Sequence, residues 1–210
     1  PQCFNSSSRS PEIMMITRAT PSLRLGSEFI LRPVHRRLLK AVLSAYSEDP
    51  IGARAALPWL KGEDDITHQM ADFLFELEIH SNTGRIHFWS IHEKDNSESF
   101  VGMVGLGDEL VLKKTNWNLG YWVRPTYRKR GIAQRAVSEV FEWLSSRSED
   151  LLVEITVHPH NPAGLKTCKA ICDAWNGKAM EPELYPIEIN NRTVLHHLHL
   201  ISLPLDDEEE

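Results

Sequence analysis

The sequence predicts a mixed α/β fold built on a mostly antiparallel sheet of six to seven strands, with one parallel strand pair and flanking helices. Three observations predict it. Strand-like runs follow one another between residues 85 and 123 with only short polar turns between them, as antiparallel neighbours do. A strand over Trp117–Val123, a helix from Ile132 and a strand over Leu151–Val157 form a crossover, which calls for a parallel, right-handed connection. The order of elements is strand, two helices, three strands, helix, strand, helix and hairpin, which is a mixed sheet and not a doubly wound one.

Gly26–Arg32 reads as the first strand, closed by Pro33. Leu38, Leu39, Val42, Leu43 and Tyr46 recur at helical spacing. Asp49–Gly62 is interrupted by Pro50, Gly52, Pro58 and Gly62 and reads as a loop or a short broken helix. Asp64 and Asp65 open the next helix at the end of its dipole that favours acids, and Asn82–Gly84 close it. Arg85–Ile91 and Phe100–Leu106 are strands joined by the polar turn Glu93–Ser99, and Trp117–Val123 follows the turn Lys113–Asn116. Ile132, Ala136, Val137, Val140, Phe141 and Leu144 make one apolar stripe of a long helix. Leu151–Val157 is an apolar strand stopped by Pro159, Pro162–Trp175 a helix, and Leu184–Ile189 with Val194–Leu203 a hairpin around Asn190-Asn191.

Composition narrows the function. The net charge of −6 opposes a nucleic-acid-binding surface, and part of it is the run Asp206–Glu210. No apolar stretch approaches the ~20 residues of a membrane span. The polar, Ser-rich start has no signal-peptide core, so a cytoplasmic protein is expected. We expect residues 1–24 to be a disordered leader, with Met14 or Met15 a plausible start of translation. Residues 25–204 are expected to form one domain and 205–210 an acidic tail. Cys168 and Cys172 share a helix face and read as small core residues. His158-x-His160 and His196-His197-x-His199 read as cleft or surface histidines, and no metal is expected.

The informative stretch runs from Leu119 through Gly-Tyr-Trp-Val-Arg-Pro-Thr-Tyr-Arg-Lys-Arg-Gly-Ile to Ala133. A strand ends at Pro125, a basic loop follows, and a helix opens at Gly131 or Ile132. Unpaired N–H groups and the dipole at a helix start attract anions. Arg128, Lys129 and Arg130 add full charges, and Gly131 lets the backbone approach closely. This is a cradle for a phosphate or pyrophosphate.

The stretch resembles the acetyl-CoA loop of the GNAT superfamily of N-acetyltransferases, Arg/Gln-x-x-Gly-x-Gly/Ala. More narrowly it resembles the RimJ/RimL branch, which shows Gly-Tyr-Trp-x-x-Pro-x-Tyr-Arg-x-x-Gly-x-Ala, matched from Gly120 to Ala133. Leu31-Arg32-Pro33, Pro58–Leu60, Phe100–Leu106, Glu154–Val157 and Asn161 extend the likeness over roughly residues 25 to 203. It implies a splay between the two parallel strands that receives acetyl-CoA. Backbone groups of Trp122, Val123 and Arg124 would then pair with the pantetheine arm. Arg128, Lys129, Arg130, Gly131, Ile132 and Ala133 would hold the pyrophosphate with Gln134 at the rim, and Asn161 would touch the pantetheine end. The chain departs from the branch in two places: Gly164 stands where a Ser is frequent, and Ala174-Trp175 where Gly-Phe is.

The expected reaction is acetyl transfer from acetyl-CoA to an amine, with no metal and no covalent enzyme intermediate. The resemblance favours a protein N-terminal amine as acceptor. A polyamine or aminoglycoside-like amine and a CoA-binding regulatory protein stay open, as does a homodimer. A base must take the ammonium proton. Glu154 is the one charge in its strand and alternates onto a polar face with Thr156 and His158, so it is the candidate, with Asp108 or Glu109 as fallback.

Overall fold

A computed structural model describes residues 19–62, 65–147 and 150–203. Two short strands open it, β1 (Leu23–Leu25) and β2 (Phe29–Pro33), followed by helices α1 (Leu39–Glu48), α2 (Pro50–Ala56) and α3 (Ile66–Thr83). Strands β3 (His87–Glu93), β4 (Gly102–Gly107) and β5 (Trp117–Val123) lead into α4 (Ile132–Ser145). Then come β6 (Leu151–Val157), α5 (Pro162–Trp175), β7 (Lys178–Ala179), β8 (Tyr185–Ile189) and β9 (Arg192–Leu203). The strands line up as β1-β2-β3-β4-β5-β6-β9-β7, with β8 hydrogen-bonded to β9. Among the described residues, only β5 and β6 pair in parallel. The expected mixed sheet is present, extended at its edges by the short β1 and β7.

Two boundaries differ from the sequence reading. The expected first strand over Gly26–Arg32 is a hairpin: Gly26 has φ +63°, a left-handed turn between β1 and β2 that a Cβ would strain. Residues 19–24, expected to belong to the leader, are among the described residues. Thr20 is buried, its hydroxyl donating to Ser81 O at 3.1 Å, and Trp89 Nε1 donates to Pro21 O at 2.6 Å. Asp64, the rest of the expected leader and the expected acidic tail lie outside the described residues.

Alternation along the strands sorts side chains onto two cores. Under α4 and α5, Ile132, Phe141 and Ile171 pack on Trp89, Leu119, Val153 and Ile155. On the other face α1, α2 and α3 bring Val42, Ala53, Met70 and Leu74 against Phe100, Met103 and Trp122. Val153, Ile155 and Val157 therefore lie beneath the helices, as their uniform apolarity suggested. The broken segment after α1 is helical because Asp49 caps it, accepting from Gly52 N at 2.9 Å, and Pro50 sits in its first turn. Asn190 and Asn191, at φ +52° and +59°, make the tight turn between β8 and β9. Asn190 Nδ2 donates to Trp59 O at 3.0 Å, which brings this hairpin over the α1–α3 face beside the loop that follows α2.

Candidate active site

β5 and β6 pair only at Trp117↔Val153 and Asn118↔Glu154. Beyond those residues the two strands part, while β5 stays paired to β4 as far as Val123↔Gly102. Arg124 N donates to Val101 O at 2.8 Å on the β4 side. Alternation of an antiparallel ladder then turns the backbone of Trp122 toward β4 and that of Tyr121 and Val123 toward the gap. Of the three residues expected to offer backbone to a pantetheine arm, Val123 faces the opening, and Tyr121 joins it.

The gap opens onto a cradle. After the 3-10 turn Pro125–Tyr127, Lys129 has φ +63° and Gly131 φ +67°. Left-handed residues on either side of Arg130 are the backbone pattern that gathers N–H groups into an anion-binding concavity. Gly131 caps α4, and its carbonyl accepts from Arg135 N at 3.0 Å, so the amides of Ile132, Ala133 and Gln134 precede the first intrahelical donor. Nothing lies within 4 Å of where a Cβ on Gly131 would be, so the concavity is open. The Ile132 side chain is buried in the core, and its part in the cradle is its backbone. Lys129 and Arg130 are exposed, and Arg130 lies over the rings of Phe29 and Tyr127.

The side chains of Arg128 and Arg124 tie the loop to the first helices. Arg128 Nε donates to Val123 O at 3.0 Å and Nη1 to Asp49 Oδ2 at 2.7 Å. The capping bond from Gly52 and this arginine hold the Asp49 carboxyl below its ordinary pKa. Arg124 Nε pairs with Glu48 Oε1 at 2.5 Å and Nη2 donates to Ser44 Oγ at 3.2 Å. The junction of α1 and α2 is thus tied to the cradle by two adjacent ion pairs. Asn161 caps α5 through its bond from Gly164 N at 2.9 Å, and Tyr121 Oη donates to Gly164 O at 3.1 Å, so the head of α5 closes the gap from the α4–α5 side.

The expected bases are elsewhere. Glu154 is fully buried and accepts from Val111 N (2.6 Å), Leu112 N (3.0 Å), Thr115 Oγ1 (2.9 Å) and Asn118 Nδ2 (3.0 Å). Three N–H donors hold both carboxylate oxygens, and the single hydrogen of the Thr115 hydroxyl is shared between Glu154 and Leu112 O at 2.6 Å. Glu154, fully buried, anchors the loop between β4 and β5. It also pairs with Asn118, five residues short of Val123, or about 16 Å at the rise of a strand. Asp108, bonded to Arg85 Nε at 2.7 Å, and Glu109 follow β4 beside that same far end of β5, about 20 Å from the cradle.

A strand pair that parts midway and leads into an open N–H cradle at a helix start is the architecture the sequence motif called for. The GNAT acetyltransferase domain model matches residues 28–176, more than half of the chain. The chain belongs to the GNAT acetyltransferase family. A search of curated proteins by sequence found no match. Among solved structures, the GNAT fold recurs in the Salmonella typhimurium acetyltransferase that modifies the N-terminal serine of ribosomal protein L7/L12 (TM-score 0.68, 10% identity, 88% of this chain and 99% of that one). It recurs in Mycobacterium smegmatis RimJ in complex with CoA-disulfide (0.62, 20%, 83% and 81%). The microcin C7 self-immunity acetyltransferase MccE, in complex with acetyl-CoA and AMP, is a third (0.62, 15%, 84% and 93%). Among the described residues no group of three or more His, Cys, Asp or Glu is placed to hold a metal, and no helix is long and apolar enough to cross a membrane.

Sequence reasoning missed Asp49 and Glu48 as partners of the loop that opens α4. The signal for Asp49 was present, since Asp followed by Pro is a helix-start pattern.

Proposed function

We propose that this GNAT protein transfers the acetyl group of acetyl-CoA to an amine, and that the acceptor is a protein N-terminal amine. The observation that carries the reading is the loss of β5–β6 pairing after Asn118↔Glu154, directly upstream of the cradle at Lys129–Gln134. Acetyl-CoA would lie along the Tyr121 and Val123 backbone with its pyrophosphate over Gly131 and Lys129. A gap-facing N–H of β5 is positioned to stabilise the thioester oxygen as charge develops on it. The amine would approach over the α1–α3 face, between the Trp59 loop and the β8–β9 hairpin. The N-terminal acceptor is supported by likeness to the acetyltransferases of ribosomal proteins from Salmonella typhimurium and Vibrio fischeri.

Thiol release from acetyl-CoA tests the reading. The assay pairs short peptides bearing free N-termini with polyamines and aminoglycosides. Peptide-dependent release is expected. Release with small polycations alone would move the acceptor to that class, and CoA failing to bind would remove the reading.

A further inference from the structure

Glu154, Asp108 and Glu109 sit at the far end of β5, and the carboxylates beside the gap, Glu48 and Asp49, are engaged by Arg124 and Arg128. The register of the strands points to another group for the amine's proton. Extending Trp117↔Val153 along the parted pair brings residue 158 level with Trp122. On the other side of β6, Val157 pairs with His197, so His196 lies alongside His158. The two rings meet edge to face with centroids 5.2 Å apart. Ile201 and Leu203 of β9 join the core under α4 and α5, so His196, five residues before Ile201, faces the opposite side, as Trp122 does. That is the side over which the β8–β9 hairpin reaches Trp59.

The two rings are not equivalent. His158 Nδ1 lies 3.1 Å from His160 N and accepts its hydrogen, so neutral His158 carries its own proton on Nε2. His196 Nδ1 lies 3.3 Å from Val194 O and donates to it, which leaves the lone pair on Nε2. Burial lowers the pKa of His196 and keeps the ring neutral near pH 7. The carbonyl of Val194 pulls the other way, and His158 and His197 reinforce the lowering. Besides those two, Tyr185 stands opposite it on β8 and His160 follows His158.

We propose that His196 is a catalytic residue of this transferase: its Nε2 takes the proton of the attacking amine, directly or through one water. The inference rests on the acetyl-transfer reading above. The ammonium loses one proton to Nε2 and from there to solvent. The freed lone pair attacks the thioester carbon, a C–N bond forms and the C–S bond breaks. The nitrogen's second proton ends on the CoA sulfur, so ammonium and acetyl-CoA give amide, CoA thiol and one released proton. His158 is the wall that holds the ring in place.

The test compares wild type with His196→Gln in the thiol-release assay with free N-terminal peptides, from pH 6 to 9. Turnover is expected to fall about 10²–10⁴-fold, with the rising limb of the pH profile lost and CoA affinity by calorimetry within about twofold of wild type. A variant that keeps wild-type turnover and pH profile overturns the proposal. Imidazole ¹⁵N spectra of the wild-type protein with CoA give a reading that needs no turnover: a neutral His196 ring protonated on Nδ1 at pH 7 is expected, and protonation on Nε2 overturns it. A variant that loses its fold loses CoA binding too, and the wild-type spectra then decide. Failure of the acetyl-transfer reading shows separately, as a wild-type protein that does not bind CoA.

Discussion

Asp49 Oδ2 lies 2.7 Å from Arg128 Nη1, and this contact joins the first turn of α2 to the loop that opens α4. The same carboxylate caps α2 through Gly52 N, and the same guanidinium holds Val123 O at the edge of the gap. One ion pair therefore spans the α1–α2 junction, the loop that opens α4 and the β5 edge. Arg128 places the loop.

Asp49→Ala removes a helix cap and a partly screened ion pair. The cap alone is worth about 0.5–2 kcal/mol, and the pair adds up to about 1 kcal/mol. We expect a melting temperature lowered by about 1–12 °C, at about 2–4 °C per kcal/mol for a chain of this size. CoA affinity should fall less than in Arg128→Ala, which frees the Val123 carbonyl as well. Calorimetric CoA titrations of both variants check the order. Equal CoA affinity in Arg128→Ala and wild type would detach the pair from the cradle.

Gly131→Asp places a carboxylate where the cradle would meet phosphate. A Cβ there meets no atom within 4 Å, so the fold has room for it, although φ +67° strains any side chain by about 1–2 kcal/mol. Gly131→Ala carries the same strain without the charge. We expect the alanine variant to bind CoA with modest loss and the aspartate variant to lose at least a hundredfold. Matching losses would trace the effect to backbone strain.

Much of this was legible in the sequence, and what was not has a common cause. β5, β6 and α5 were bounded correctly because Pro125, Pro159 and Pro162 mark their ends, and the Asn190-Asn191 turn declares its hairpin. The cradle is local, so contiguous residues reveal it. Glu154 was read as a base because alternation gives its face but not its partners. Two of its four donors are backbone amides 42 and 43 residues upstream, and such amides carry no residue signature. Asp49 and Arg128 are 79 residues apart. His196 gains meaning only from the register that sets it beside residue 158, level with Trp122.

Glu154→Gln separates anchor from base. Glutamine keeps the shape but turns an NH₂ toward donors that need an acceptor. Stability should fall by about 1–3 kcal/mol or more, since a buried charged acceptor is lost. Denaturant unfolding measures this. Turnover per folded molecule should stay within a few-fold of wild type. A stable Glu154→Gln protein with turnover down a hundredfold would return the base to Glu154.

Acid stability should report on His87. Its ring is buried on the α4 side against Trp89, Trp117 and Trp143, with Nδ1 3.0 Å from the Thr20 hydroxyl. Burial, helped by the charge of Arg147, pulls its pKa from 6.5 down to about 4. Between those values the unfolded chain binds a proton that the folded one refuses. The contribution of His87 is thus complete above about pH 6.5, declines as pH falls, and is gone once pH passes about 4. Other histidines are lowered in the same direction, among them His92, His196 and His199, so the wild-type curve alone does not isolate this ring. His87→Gln fits an uncharged, hydrogen-bonding side chain beside Thr20 and removes the titration. Its melting temperature at pH 7.5 should lie below that of wild type because the aromatic packing is poorer. The difference should shrink steadily from pH 6.5 to pH 4.5. Melting curves that stay parallel across that range would show that His87 opens to solvent before the fold does.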